Sequence, residues 1–384
     1  MKMIAIVTTT RAEYGLLSPL IKNLRKYECS DFKVELIVTG THLSSEFGKT
    51  VDEIDDRIDC FVNTPTDSFS VTDIAHNQSI YLTEFTKIFS DKSYSALILL
   101  GDRYEILPVA IAACLTHTPI FHLCGGDTTE GAIDEWIRHS ITKMSYLHFV
   151  TNEESRRRVI QLGEAPQRVF NYGSTSVENI LNKANMSKEE ALKSVGLVDC
   201  DYALCTYHPV TMEDDVIDKM LASFFSAIDN FPSLHFIITK SNADLGGSRI
   251  NGLLEEFAKR NANVHVFSSL GVRRYLSLMK YSKFVLGNSS SGIIEAPCLH
   301  IPTVNIGDRQ KGRALSESII NCGTSSKDIV LAMEKALSKE FINVCKVTGC
   351  PYGEGDSSEK ISYKVIEVLK SGGIVLKKKF FDLV

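Results

Sequence analysis

Short apolar runs recur along the chain, each closed by a glycine, a hydroxyl residue or a charge, and amphipathic stretches lie between them. The runs at 3–7, 34–38, 96–100, 120–123 and 148–150 are nearly continuous in apolar residues, as strands buried on both faces are. Helical spacing fills 16–27, and the segment 105–113 is a helix of small apolar residues suited to close packing on a sheet. The second half repeats the scheme, with strands at 202–206, 235–239, 264–267, 284–286 and 303–306 and helices at 216–228, 250–259 and 272–280. Strands alternating with helices specify parallel sheets joined by right-handed crossovers. The expected fold class is α/β, two doubly wound Rossmann-like domains facing a cleft and divided near 173–186. Ligands of such sheets bind beyond the carboxyl ends of the strands, so chemistry is sought there.

Composition narrows the classes. A chain of 384 residues holds two domains at about 100–200 residues each, and 44% hydrophobic with 23% charged residues is the balance of a soluble globular protein. No apolar run approaches the roughly 18–20 residues of a membrane helix. The apolar start is followed closely by Arg11 and Glu13 with no cleavage site, and reads as a first buried strand, not a signal peptide. A net charge of −5 argues against nucleic acid as a partner. Lys377, Lys378 and Lys379 read as a solvated tail. Ten cysteines without a C-x-x-C pair suggest reduced, mostly buried thiols in a cytoplasmic protein. His122, His139 and His148 lack ligand spacing, so no metal and no cofactor is expected.

The most informative stretch is Gly287-Asn288-Ser289-Ser290-Ser291-Gly292-Ile293-Ile294-Glu295. An apolar run breaks into a hydroxyl-rich turn and a helix follows, so unpaired N–H groups, the positive helix end and Ser289, Ser290 and Ser291 together suit a diphosphate. Glu295, about one turn on, is placed to meet a ribose diol; an ordinary serine N-cap has the same pattern. Arg11, in Thr8-Thr9-Thr10-Arg11-Ala12-Glu13-Tyr14-Gly15 after the first strand, offers a charge-assisted contact to an anion or is a surface arginine. That segment lacks G-x-G-x-x-G, which lowers the case for NAD or FAD. Gly101-Asp102-Arg103-Tyr104-Glu105 ends a very apolar strand in charge. Asp127, Glu130, Asp134 and Glu135, with Arg138 and His139, crowd the segment after the next strand, and crowded, partly buried carboxylates acquire the raised pKa values of general acids and bases. Some of them simply favour a helix start. His208, held before Pro209, and the cationic loop Asp308-Arg309-Gln310-Lys311-Gly312-Arg313 complete the set, each with a structural or solvated alternative.

Taken in order, these motifs resemble the hydrolysing UDP-N-acetylglucosamine 2-epimerases of bacterial sialic acid synthesis, over nearly the whole chain. The resemblance implies a glycosyltransferase-B-like pair of domains: 1–175 with the catalytic carboxylates and 176–384 binding UDP, the last helix being free to return to the first domain. It implies UDP-GlcNAc plus water going to N-acetylmannosamine plus UDP, through elimination to a 2-acetamidoglucal and water addition, in a homo-oligomer (dimer or tetramer). By matched motifs, Asp102 and Asp134 take catalytic carboxylate positions and His208 a cleft histidine. Arg11, Ser289, Ser290 and Arg309 match phosphate-binding positions, with Ser291, Gly292 and Arg313 beside them; Arg103 lies near the nucleotide and Glu295 on the ribose. One departure stands out: relatives with H-I-E-G-G-E correspond to His122-Leu123-Cys124-Gly125-Gly126-Asp127, so the first family glutamate is Cys124, and Asp127 or Glu130 must reach the same space or the glutamate is dispensable. The departure keeps open a second substrate, a UDP- or GDP-linked 2,4-diacetamido-2,4,6-trideoxy sugar of legionaminic acid pathways. A glycosyltransferase of the same architecture, a non-hydrolysing epimerase and a silent UDP-sugar sensor are the competing classes.

Overall fold

The apolar pentads become central strands because nothing in them needs water. In the computed structural model, which describes residues 1–44, 49–63, 71–128, 133–208, 214–240, 247–311 and 315–383, Ala96–Leu100 is buried at every position. The chain forms two compact units, Met1–Asn179 with Gly355–Val384, and Ile180–Glu354.

The first unit runs β1 (Lys2–Thr8), α1 (Arg11–Arg25), β2 (Phe32–Val38), β3 (Cys60–Phe61), α2 (Val71–Asp91), β4 (Ala96–Leu100), α3 (Ile106–Leu115), β5 (Ile120–Leu123), α4 (Ile133–Met144), β6 (Leu147–Val150), α5 (Glu153–Gln161) and β7 (Val169–Asn171). Its parallel sheet has the order β3-β2-β1-β4-β5-β6-β7, so the winding reverses between β1 and β4, where Ile4 is in register with both Val34 and Ala96. Alternation along β1 feeds two apolar layers. Ile4 and Ile6 pack with Leu17, Leu20 and Ile21 of α1, while Ala5 and Val7 pack with Phe85 of α2 and Val109 of α3. Helix α6 (Thr175–Lys183) crosses the boundary into the second unit.

That unit continues with α7 (Lys188–Lys193), β8 (Tyr202–Thr206), α8 (Asp214–Ile228), β9 (His235–Thr239), α9 (Gly247–Arg260), β10 (Val264–Phe267), α10 (Gly271–Tyr281), β11 (Val285–Gly287), α11 (Ser291–Cys298), β12 (Thr303–Ile306), β13 (Ile319–Cys322), α12 (Ser326–Leu337) and α13 (Lys339–Val347). The sheet order is β10-β9-β8-β11-β12-β13, reversing between β8 and β11. Both units are therefore doubly wound, each with one switch point. The last helix, α14 (Ser357–Ser371), lies in the first unit, where Val365 and Ile366 join the layer that holds α1.

Three sequence expectations change. Helix α1 starts at Arg11, five residues before the apolar spacing suggests, because Thr10 and Glu13 form a capping box: the Thr10 hydroxyl accepts the Glu13 N–H (3.2 Å) and Glu13 Oε2 accepts the Thr10 N–H (3.1 Å). Lys378 is not part of a solvated tail. Its ammonium donates to the carbonyls of Lys143 (2.9 Å) and Ser145 (2.7 Å) and to both oxygens of Glu164, which is wholly buried. Nor are all the thiols reduced, since Cys298, at the end of α11, is bonded to Cys350, and eight cysteines are free. Trp136, the single tryptophan, sits on α4 and is 74% exposed.

Candidate active site

At the first switch point, β1 and β4 deliver two arginines. Arg11 opens α1 and pairs with Glu53 (2.8 Å), and Arg103 pairs with the buried Glu105 (2.8 Å). With Thr10, Thr41, Thr50 and Tyr104 they line one pocket of about 500 Å³. Two cations and several hydroxyls in one concavity suit an anion. Behind them Glu13 is buried, and burial raises its pKa to about 7 even though the N–H and hydroxyl of Thr9 both donate to it.

The carboxylates are organised by Arg138. This residue of α4 is 5% exposed; Nε (2.7 Å) and Nη2 donate to Asp102 Oδ2, while Nη1 donates to the Asp127 carbonyl (2.7 Å) and to Glu135 Oε2 (3.2 Å). Asp102 is thereby held through one oxygen, with Oδ1 outside the ion pair. The Asp127 carboxylate accepts from the hydroxyls of Ser155 and Thr151 (3.2 Å). Burial lifts its pKa, assisted by the charge of Asp102 and opposed by the hydroxyl donors and Arg138. Gly126 closes the turn at φ +83, and a Cβ there would sit 2.3 Å from the Ser155 carbonyl oxygen. Cys124 also adopts a left-handed backbone, at φ 62, uncommon for a residue with a side chain. Its thiol is driven well above its usual range, first by burial and then by Asp127 and Asp102, so it stays neutral. His122 is buried and burial lowers its pKa to about 3; Nε2 donates to the Gly101 carbonyl (2.8 Å), which anchors the residue before Asp102. Asp134, half-buried, stands in the first turn of α4, one turn before Arg138 on the same helix face. Glu130 lies outside the described residues.

At the second switch point the serine turn begins at Gly287, φ +138, where a Cβ would fall 2.0 Å from the Thr206 carbonyl oxygen; only glycine lets β11 and β8 end so close together. Asn288, fully buried, then ties three segments. Its Oδ1 accepts the His208 N–H (2.7 Å), its Nδ2 donates to the His208 carbonyl (2.8 Å), and its own carbonyl accepts from Arg309 Nη1 (3.1 Å) and Gln310 Nε2 (2.8 Å). Ser290 is the N-cap of α11 and makes no capping bond through its side chain, whereas Ser289 Oγ accepts the Ser291 N–H (3.3 Å). Gly292 lets α11 lie on β12, since a Cβ there would come within 2.8 Å of Thr303 Cγ2. Glu295 follows on α11, where its charge raises the pKa of the Tyr275 hydroxyl after burial has done so. Arg313 lies outside the described residues.

The residues singled out in the sequence thus form three sets within their units: Arg11 with Arg103, Asp102 with Asp127 around Arg138 and with Asp134 one turn earlier on the same helix, and His208 with Ser289–Gly292 and Arg309 beside Asn288. Arg138 and Asn288 were not read as functional. The four-residue step from Asp134 to Arg138 is a helix-face signal that was there to use; Asn288 has none, because its partner is 80 residues away. Among the described residues, no cluster of three or more His, Cys, Asp or Glu is placed to hold a metal ion, and no helix is long and apolar enough to cross a membrane.

The family model for UDP-N-acetylglucosamine 2-epimerase matches residues 24–367. The chain belongs to this family. It is 40% identical over 347 residues to the GDP/UDP-N,N'-diacetylbacillosamine 2-epimerase (hydrolyzing) of Campylobacter jejuni, covering 88% of each chain. It is 39% identical over 360 residues to the polysialic acid biosynthesis protein P7 of Escherichia coli, covering 92% of this chain and 90% of that one. The fold matches the UDP-GlcNAc 2-epimerase of Neisseria meningitidis bound to UDP-GlcNAc with a TM-score of 0.79 at 18% identity, over 96% of this chain and 100% of that one. The architecture of this epimerase-family chain is accordingly the pair of parallel-sheet α/β domains of the glycosyltransferase-B type.

Proposed function

We propose that this protein is a hydrolysing 2-epimerase acting on a nucleoside-diphosphate-linked 2,4-diacetamido-2,4,6-trideoxyglucose, the sugar also called N,N'-diacetylbacillosamine. Water and the nucleotide sugar give the free 2-epimeric sugar and the nucleoside diphosphate. Similarity to the Campylobacter jejuni enzyme ranks this substrate above UDP-GlcNAc, which the motifs had put first. The observation that carries the chemistry is the buried guanidinium of Arg138, which holds the Asp102 carboxylate and the Asp127 main-chain carbonyl, so that one side chain fixes both acidic residues.

Asp102, held by Arg138 with Oδ1 to spare, takes the C2 proton while the C1–O bond to the diphosphate breaks, leaving a 2-acetamidoglycal. Asp127, whose protonated form burial favours, gives its proton to C2 on the other face as water adds at C1 and takes the water's proton in return, while the proton held by Asp102 leaves to solvent. The neutral thiol of Cys124 takes no part in proton transfer, so Asp127 fills the role of the family glutamate; Asp134 is a further carboxylate that assists, and Glu130, outside the described residues, is assigned beside it by its motif alone. In the second unit Ser289, Ser290, Ser291 and the first N–H groups of α11 hold the leaving diphosphate, with Arg309 and Arg313 as cations, Arg11 and Arg103 as the anion-binding arginines of the first unit, Glu295 on the ribose and His208 at the sugar.

A second reading, UDP-GlcNAc as substrate, is favoured by the match to the UDP-N-acetylglucosamine 2-epimerase family model. The test is proton NMR in deuterated water with each UDP-sugar in turn. Free UDP with a C2-deuterated, C2-inverted sugar from the diacetamido substrate is expected. Turnover of UDP-GlcNAc alone moves the assignment to the second reading, and UDP release without C2 deuteration excludes the elimination route.

A further inference from the structure

Strands β12 and β13 end beside a cavity of about 590 Å³ in the second unit that none of the roles above occupies. Its lining holds three carboxamides, beside Asp308, Lys311 and Thr324. Asn305 and Asn321 are in register across the two strands, and Asn305 Nδ2 donates to Asn321 Oδ1 at 2.8 Å. The third is Gln310, 3% exposed: its Nε2 is committed to the Asn288 carbonyl, and its buried Oε1 has no hydrogen-bond partner among the described residues. A buried acceptor without a donor costs free energy, and in native structures such a group calls for an explanation.

The occupant follows from what is unmet. Gln310 Oε1 needs an N–H. Asn321 has spent its carbonyl on Asn305 and keeps its Nδ2 for an acceptor. The two charges on the wall, Asp308 and Lys311, cancel formally, which disfavours an ion. Leu315 adds an apolar surface. A neutral group carrying N–H, C=O and a methyl fits all three demands, and that group is an acetamide. The cavity lies within the size range of small-ligand sites, so it takes the acetamide with part of the ring that bears it.

Through Gln310 the cavity shares a wall with the serine turn. We infer that it receives the 4-acetamido group of the sugar, and that Gln310 and Asn321 set the preference for a diacetamido sugar over one with a hydroxyl at C4. The inference rests on the proposed nucleotide-sugar reading. A 4-hydroxyl can donate to Gln310 but leaves the Asn321 donor and the apolar wall unused.

Binding calorimetry with UDP, UDP-GlcNAc and UDP-2,4-diacetamido-2,4,6-trideoxyglucose tests this without requiring turnover. Asn321→Ala, at an exposed strand-end position, is expected to reduce the ratio of diacetamido to GlcNAc affinity about tenfold, the loss of one hydrogen bond. Gln310→Met is expected to reduce it at least as much. An unchanged ratio in Asn321→Ala, or equal weakening for both sugars, overturns the pocket assignment. If the wild type binds with the preference, loses it in the variant and yet releases no UDP from either sugar, the pocket stands and the proposed reaction falls.

Discussion

Arg138 gathers the polar contacts of the carboxylate loops of the first unit in one side chain. Both Asp102 and the Asp127 backbone depend on it, and a lysine in its place supplies one point charge where three nitrogens now act. Asp102→Asn should abolish turnover and leave UDP affinity within about twofold, because the amide retains the shape but not the base; a near-normal rate measured by UDP release removes Asp102 from catalysis. Arg138→Lys should lower kcat by about tenfold or more with UDP affinity held, a split that mere loosening of the fold would not produce. Ser290→Ala is informative for the opposite reason. The side chain caps nothing, so its loss should leave the melting temperature nearly unchanged while weakening UDP severalfold by titration, and unchanged affinity takes Ser290 out of the diphosphate site. The motifs holding Asp102, Ser290 and His208 were readable because each follows an apolar run. The partners that orient them were not, since Asp102 and Arg138 are 36 residues apart and spacing reports only neighbours within a helix or strand.

Among the elements, α2 and β13 show where pattern fails. In the 21 residues of α2 the buried aromatics Tyr81, Phe85 and Phe89 form a single file four residues apart, and the first half has none, so the apolar stripe is too thin to announce a helix. Ile319–Cys322 places Asn321 in an edge strand whose alternation is only four residues long. The terminal segment after α14 is another such case: three consecutive lysines read as solvent, yet Lys378 reaches Glu164. Burial alone would raise the Glu164 pKa, but hydrogen bonds from His148, Lys378 and Lys143 outweigh it and hold the value at about 2. With the folded value below the unfolded 4.5, the unfolded chain binds more protons between them, so this contribution is complete above pH 4.5 and is lost as pH falls towards 2. The full contribution is about 3 kcal/mol. Acid titrations followed by circular dichroism should therefore show Glu164→Gln with a flatter stability profile below pH 4.5 than the parent, and parallel profiles would dismiss the coupling.

At the scale of the molecule, two doubly wound units each gather the singled-out residues beyond their strand ends, and one glycine in each permits a close backbone approach there, Gly126 in the first and Gly287 in the second. The alternation of strands and helices made that plan legible; the disulfide was not, because Cys298 and Cys350 are 52 residues apart and show no spacing motif. Closing a loop of that length stabilises by about 4 kcal/mol in the chain-entropy account. Cys298→Ser should accordingly speed hydrogen exchange in α11 and β12 while leaving β1 and β4 of the other unit at parental protection, and uniform protection in both would show the bond to be inconsequential.

Trp136 turns α4 into its own indicator. A single indole, mostly in water and two residues from Arg138, makes the tryptophan fluorescence of the chain a signal from one helix. Stopped-flow mixing with nucleotide sugar, with excitation at the red edge where tyrosine does not absorb, would then report any response of that helix with no label attached.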